Sequence, residues 1–181
     1  MHLVERLKQK EDEAYLEVMA AYGEYLLRTA FLLLKDYQLA EEAVQDTFVI
    51  TFQKIDQLED EEKLKSWLTT ILLNRCRSQM RKSRWKVLLA PLDLIERTKA
   101  DSQTLNPENA LLFSEWHESI STSIQQLDYK YREVITLFYF NEMKIKDIAL
   151  FTKTNENTVK SKLKRARLLL KEILPEGSIG I

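Results

Sequence analysis

Residues 158–170 read TVKSKLKRARLLL, with five basic residues and four leucines in thirteen positions. The reading of this stretch decides the fold. Val159, Leu163, Ala166, Leu170 and Ile173 follow steps of four, three, four and three, so they form one apolar stripe of an α-helix. Ser161, Lys164, Arg165 and Leu168 point broadly the other way, and Lys160, Lys162 and Arg167 flank the stripe. The helix therefore presents a basic ridge about 20 Å long while its back faces a core. Just upstream, KIKDIALFTKTNEN predicts a short helix and a tight connection, with Ile148 and Ala149 inward and Asn157 as N-cap of the long helix. Short helix, turn and basic amphipathic helix make a helix-turn-helix, whose second helix enters the DNA major groove by its N-terminal end. The amides of that end can also hold a phosphate.

Working outward, the second half predicts helices over 110–126, 130–140, 145–151 and 158–173, with Asp128 as an N-cap. Before them, 89–109 contains Pro91, Pro107 and several turn residues, and reads as a flexible linker. A stretch this long without its own structure is uncommon inside one domain. The first half predicts a second helical core. Leu16, Met19, Ala20, Leu26, Leu27, Ala30, Phe31 and Leu34 recur at helical spacing in one or two helices. Asp36 interrupts. LAEEAVQDTFVITFQKI then places Ala40, Val44, Phe48, Phe52 and Ile55 on a stripe and Glu41, Glu42, Gln45, Asp46 and Gln53 off it. EDEEKL reads as a loop, and a further helix carries Trp67, Leu68, Ile71 and Leu72 into the basic run NRCRSQMRKSRWK. The expected fold is all-α, with domains over 1–88 and 110–175 joined by 89–109 and followed by a tail at 176–181.

The net charge of −1 hides a segregated distribution. Residues 36–62 carry nine acidic side chains and one basic; 63–88 carry eight basic and none acidic. Residues 101–128 carry five acidic and none basic; 144–171 carry nine basic and two acidic. A surface built for solubility alone intermixes the signs. Two basic blocks, one in each half, instead predict two contacts with nucleic acid.

Other function classes find no support in the residues. The single cysteine, Cys76, excludes an internal disulfide or a multi-cysteine metal site and reads as a buried thiol. His2 and His117 have no neighbours that complete a catalytic dyad or a metal site, and no P-loop or dinucleotide glycine pattern occurs. No catalytic residues, metal, cofactor or small-molecule substrate is expected, and the chain is not read as an enzyme. No signal peptide or membrane span is expected, which points to the cytoplasm.

The motifs carry a specific resemblance. LDYKYREVITLFYFNEMKIKDIA followed by NTVKSKLKRAR resembles region 4 of the sigma-70 family, in the small extracytoplasmic-function (ECF) group. LAEEAVQDTFVITFQKI resembles region 2.2, and KSWLTTILLNRCRSQMRK resembles regions 2.3 to 2.4. The resemblance implies an RNA polymerase sigma factor that binds core polymerase and promoter DNA and is held inactive by an anti-sigma factor, often a membrane protein. By position, core polymerase would meet Glu41, Glu42, Gln45, Asp46 and Gln53, a carboxylate and amide face that suits a basic partner. Opening of the −10 element and capture of an unstacked base would fall to the 60–66 neighbourhood and Asn74. Arg75, Arg77, Arg81, Lys82 and Arg84 would track phosphates. Trp67 is read as core rather than as a stacking platform. In region 4, Lys160, Ser161, Lys164 and Arg165 would approach −35 base edges, while Thr158, Lys162 and Arg167 would contact phosphates.

The sequence departs from the family pattern in places. Lys153 and Asn157 stand where relatives often have glycine, and Thr152 and Thr154 where aliphatics are frequent. Asp128 replaces a common proline, and the acidic EDEE at 59–62 lies beside the expected base pocket. Two other readings compete: a helix-turn-helix regulator that binds a palindromic operator as a dimer, and a helical adaptor whose basic helix grips an acidic protein.

Overall fold

Lys35 and Asp36 separate two long helices by two complementary devices. Lys35 turns left-handed (φ 62°) and its N–H bonds back to Phe31 O, which closes the first helix. The Asp36 carboxylate accepts from the Leu39 N–H at 3.0 Å and opens the second. The computed structural model describes residues 3–89 and 118–174, and the described residues are helical with no strand. Apart from Leu89, the expected linker lies outside them, as do His2, His117 and the tail. The chain divides into two units, Met1–Thr104 and Leu105–Ile181.

The first unit holds α1 (Leu3–Lys8), α2 (Asp12–Leu34), α3 (Tyr37–Lys54) and α4 (Leu64–Leu89), with 3₁₀ turns at Ile55–Gln57 and Glu61–Lys63. α2, α3 and α4 pack on one another around Leu26, Leu33, Ala40, Phe48, Leu64, Leu68 and Leu72. Buried threonines satisfy themselves inside this core. Thr47 Oγ1 donates to Ala43 O at 2.7 Å and Thr51 Oγ1 to Thr47 O at 2.8 Å. The α1–α2 corner closes on the end of α3. Lys10 Nζ lies 4.4 Å from the Phe52 ring centre and donates to Phe52 O, and the Tyr15 hydroxyl donates to Phe48 O. Phe52, expected in the core, is 38% exposed and works instead as this lid contact, edge-on to the Tyr15 ring.

The apolar stripe expected early in α2 is misplaced. Leu16, Met19 and Ala20 are exposed, whereas Ala14 and Val18 are buried. Large residues populate both faces of this helix; Tyr15 and Met19 border the α2–α3 groove, while the smaller Ala14 and Val18 turn inward.

The second unit holds α5 (Glu118–Gln126), α6 (Tyr129–Ile135), a π turn (Thr136–Phe140), α7 (Ile145–Thr152) and α8 (Glu156–Ile173). α8 packs against α6 and α7 through Val159, Leu163 and Ala166. Leu170 and Ile173, beyond that contact, are only half-buried. Asp128 occupies the N-cap position of α6 but makes no side-chain cap bond; its carbonyl accepts from Tyr131 and Arg132 N–H groups. Arg132 is buried beneath this corner. Its Nη1 donates to Leu127 O at 2.7 Å, and burial pulls its pKa down to about 10, so it stays charged at neutral pH.

Among the described residues, no helix is long and apolar enough to cross a membrane.

Candidate nucleic-acid interface

The turn between α7 and α8 is built by hydroxyls. Thr152 Oγ1 donates to Ile148 O at 2.8 Å and lies 2.9 Å from Thr154 Oγ1. Lys153 takes the left-handed conformation (φ 52°, ψ 43°), and the Thr154 N–H reaches back to Ala149 O. A glycine is the usual occupant of such a position; here lysine accepts the strain and the two threonines hold the turn.

The long helix starts two residues earlier than the sequence suggests. Asn155, not Asn157, is the N-cap, and its Oδ1 accepts from the Thr158 N–H at 2.7 Å. Asn157 falls in the first turn and is exposed. With this start, Lys160, Ser161, Lys164, Arg165 and Arg167 are all exposed, Lys162 and Thr158 are half-buried, and Val159, Leu163 and Ala166 are buried. The helix therefore shows an unbroken row of donors on the face away from its core. Arg167 Nη1 lies 3.5 Å from the Tyr139 hydroxyl, a neighbour from the π turn that sequence reasoning missed.

In the first unit, α4 carries two lines of polar residues. Ser66, Thr70, Asn74, Arg77 and Arg81 follow steps of four, four, three and four, so they share one face. Ser66, Thr70, Asn74 and Arg81 are exposed and Arg77 is half-buried. At the upper end of that line lies a cleft of about 330 Å³ between α4 and the 3₁₀ turns, walled by Gln57, Asp60, Lys63, Ser66, Trp67 and Thr70 among others. Asn74 lies one turn beyond the cleft rather than in its wall. Trp67, read as core, is half-buried and forms part of that wall. The spacing of Thr70 four residues before Asn74 was the available signal for extending the face upward. The acidic loop is partly self-neutralised. The Asp60 carboxylate accepts from the Glu62 N–H and pairs with Lys63 at 3.2 Å.

Arg75 and Lys82 lie on the other flank of α4. Lys82 is exposed, but Arg75 Nη1 is 3.8 Å from Asp46 Oδ2 on α3. One residue expected to meet DNA and one expected to meet protein are thus neighbours. Arg84 lies within α4, and its side chain falls outside the described residues. On α3, Glu41, Glu42, Gln45 and Gln53 are exposed. Of these, Glu41 and Gln45 border an apolar groove of about 460 Å³ between α2 and α3, where Met19, Gly23, Leu27, Val44 and Val49 meet. Cys76, at the core side of α4, is fully buried, and desolvation pushes its thiol up to about 12. Among the described residues no cluster of side chains could hold a metal ion.

Comparison with known proteins matches the two halves of the chain to named regions. Residues 18–86 match the family described as "Sigma-70 region 2", and residues 117–170 match "Sigma-70, region 4". Among curated relatives, the ECF RNA polymerase sigma factor SigW of Bacillus subtilis is 25% identical over 94% of this chain and 94% of its own length. SigM of the same organism is 29% identical over 89% of this chain and 95% of its own. Among solved structures, the sigma factor RpoE in complex with the anti-sigma factor NepR, from Bartonella quintana, superposes with a TM-score of 0.63 at 27% identity. That match covers 87% of this chain and 96% of RpoE. CnrH, solved with the cytosolic domain of CnrY, shares the fold at a TM-score of 0.61, with 21% identity over 94% of this chain and 93% of CnrH.

Proposed function

The chain belongs to the sigma-70 family and is an RNA polymerase sigma factor of the ECF group, and from that premise we propose which of its faces does which part of the work. The exposed row on α8 reads the −35 element. Lys160, Ser161, Lys164 and Arg165 face base edges, and Thr158, Lys162 and Arg167 grip phosphates. The observation that carries this is the division of α8 itself. The base-reading candidates are exposed while Val159, Leu163 and Ala166 are buried, on a helix whose first turn is fixed by Asn155. A rigid, capped helix end can enter a major groove without first paying to order itself.

The α4 face and its upper cleft act on the −10 element. The cleft volume suits one extruded base, Trp67 and Thr70 offer an apolar wall and a hydroxyl, and Asn74 lies one turn along. Arg77 and Arg81 continue that line as phosphate contacts. Arg75, Lys82 and Arg84 serve the adjoining backbone, and Arg75 does so on leaving Asp46. The acidic rim of α3, with the apolar groove beside it, docks a basic amphipathic helix of core polymerase. An anti-sigma factor that covers the same groove would exclude polymerase; the RpoE relative was solved in complex with an anti-sigma factor. The two functional domains are 1–88 and 110–175. Phosphodiester chemistry belongs to the polymerase, and the protein works in the cytoplasm.

Transcription with purified core polymerase and a promoter library tests the assignment. The expected result is a set of start sites that share −35 and −10 elements and vanish when this protein is omitted. Operator binding by a dimer, with no polymerase-dependent transcription, would overturn it.

A further inference from the structure

We infer that Tyr139 is a phosphate-binding residue of the α8 interface, closing a two-donor clamp with Arg167 on one backbone phosphate of the −35 DNA. The inference rests on the assignment of Arg167 to a phosphate. Tyr139 follows the fully buried Ile135 by four residues, and in an uninterrupted α-helix that spacing would turn it back toward the same face. The segment Thr136–Phe140 is instead a π turn, closed by the Asn141 N–H on Thr136 O at 3.0 Å. Tyr139 lies inside this wider turn, and such turns recur at functional sites. Tyr139 is 43% exposed.

The ring is also held in place. Phe138 meets it edge-on, with centroids 4.9 Å apart and planes at 82°. The hydroxyl so positioned lies 3.5 Å from Arg167 Nη1, on the helix that carries the basic row. At that length the contact is at the weak end for an N–H···O bond. The phenol oxygen accepts there, so its own proton remains available to donate. The guanidinium has further N–H groups to give. Two donors from two elements converge on one point at the edge of a basic surface, and a tetrahedral anion with several acceptor oxygens satisfies both. A carboxylate would satisfy them too, but phosphates are what Thr158 and Lys162, proposed as contacts on the same helix, follow.

The test measures promoter binding by holoenzymes carrying Tyr139→Phe, Arg167→Gln or both. Tyr139→Phe is expected to weaken binding roughly tenfold, as for one hydrogen bond to a charged group. The loss should be equal on all −35 sequences, and the salt slope should not change, because a phenol carries no charge. Arg167→Gln should lower the slope by about one. The double variant should lose less than the product of the single effects. Duplexes with single neutral methylphosphonate linkages should identify one phosphate at which Tyr139→Phe has no further effect. Added inorganic phosphate at matched ionic strength should not restore the difference. Wild-type affinity for Tyr139→Phe beside a weakened Arg167→Gln would overturn the clamp and leave the Arg167 assignment standing. Wild-type affinity for both would overturn that assignment as well. A loss in Tyr139→Phe matched by a lower melting temperature, with no special phosphate, would make the residue structural and also overturn the proposal.

Discussion

Asn155 Oδ1 accepts the Thr158 N–H at 2.7 Å, and this bond sets where α8 begins. The first four N–H groups of a helix have no intrahelical partner, and a cap side chain satisfies one of them. Asn155→Ala should cost about 1 kcal/mol of stability, while Asn155→Asp or Asn155→Ser should cost far less. Urea denaturation of the three variants checks the order. Asn157→Ala, by contrast, should be close to neutral for stability.

Lys153 holds a backbone conformation that costs a residue with a Cβ about 1–2 kcal/mol. Lys153→Gly removes that strain but loosens the unfolded chain, so the net gain should be about 1 kcal/mol. Thermal unfolding should show a raised midpoint with −35 specificity unchanged. An unchanged or lowered midpoint would mean that the lysine side chain contributes contacts that outweigh the strain.

Gly23 lies in the interior of α2 and at the wall of the apolar groove, and a Cβ built there meets nothing within 4 Å. Gly23→Ala should therefore stabilise by roughly 1 kcal/mol through helix propensity alone. Gly23→Trp should fold yet fill the groove and lower affinity for core polymerase. Circular dichroism beside a polymerase titration separates the two effects.

The helical stripe of α8 was legible because charge and apolar residues alternate at one clear period. Its first residue was not, because Asn155 and Asn157 are both competent caps and only the backbone chooses between them. Leu16 and Met19 were misassigned since α2 carries large apolar residues around much of its surface, which leaves the inward face undetermined by spacing alone. The π turn in TLFYF leaves no mark on periodicity in five residues. Tyr139 was therefore invisible as a neighbour of Arg167. The approach of Asp46 to Arg75 joins residues far apart in sequence, and no local pattern encodes it. Family resemblance supplied the roles; the cleft beside Trp67 and the line from Ser66 to Arg81 needed the packing of α4.

Burial pushes the Cys76 thiol from an ordinary value of 9.0 to about 12. The fold favours the neutral thiol, so its contribution to stability is complete below pH 9. It is lost as the pH rises from 9 towards 12, because the unfolded chain ionises first. Urea midpoints of wild type and Cys76→Ala should converge across that window. At pH 8 the native thiol should resist a soluble disulfide reagent, with labelling only at the rate of opening.

The most direct test of region 4 readout is holoenzyme binding across single-base variants of the −35 element and across salt, for Arg165→Ala and Lys162→Ala, with Leu163→Ala as the folding control. Leu163 is buried, so its truncation should cost roughly 2–5 kcal/mol of stability and DNA binding with it. Arg165→Ala and Lys162→Ala should fold normally. Arg165→Ala should flatten discrimination at one or two −35 positions, by roughly 1–3 kcal/mol where a guanine was read. Lys162→Ala should weaken all variants alike and lower the salt slope by about one. A uniform loss for Arg165→Ala across every −35 variant would contradict the account, leaving this helix a grip on phosphates and not a reader of bases.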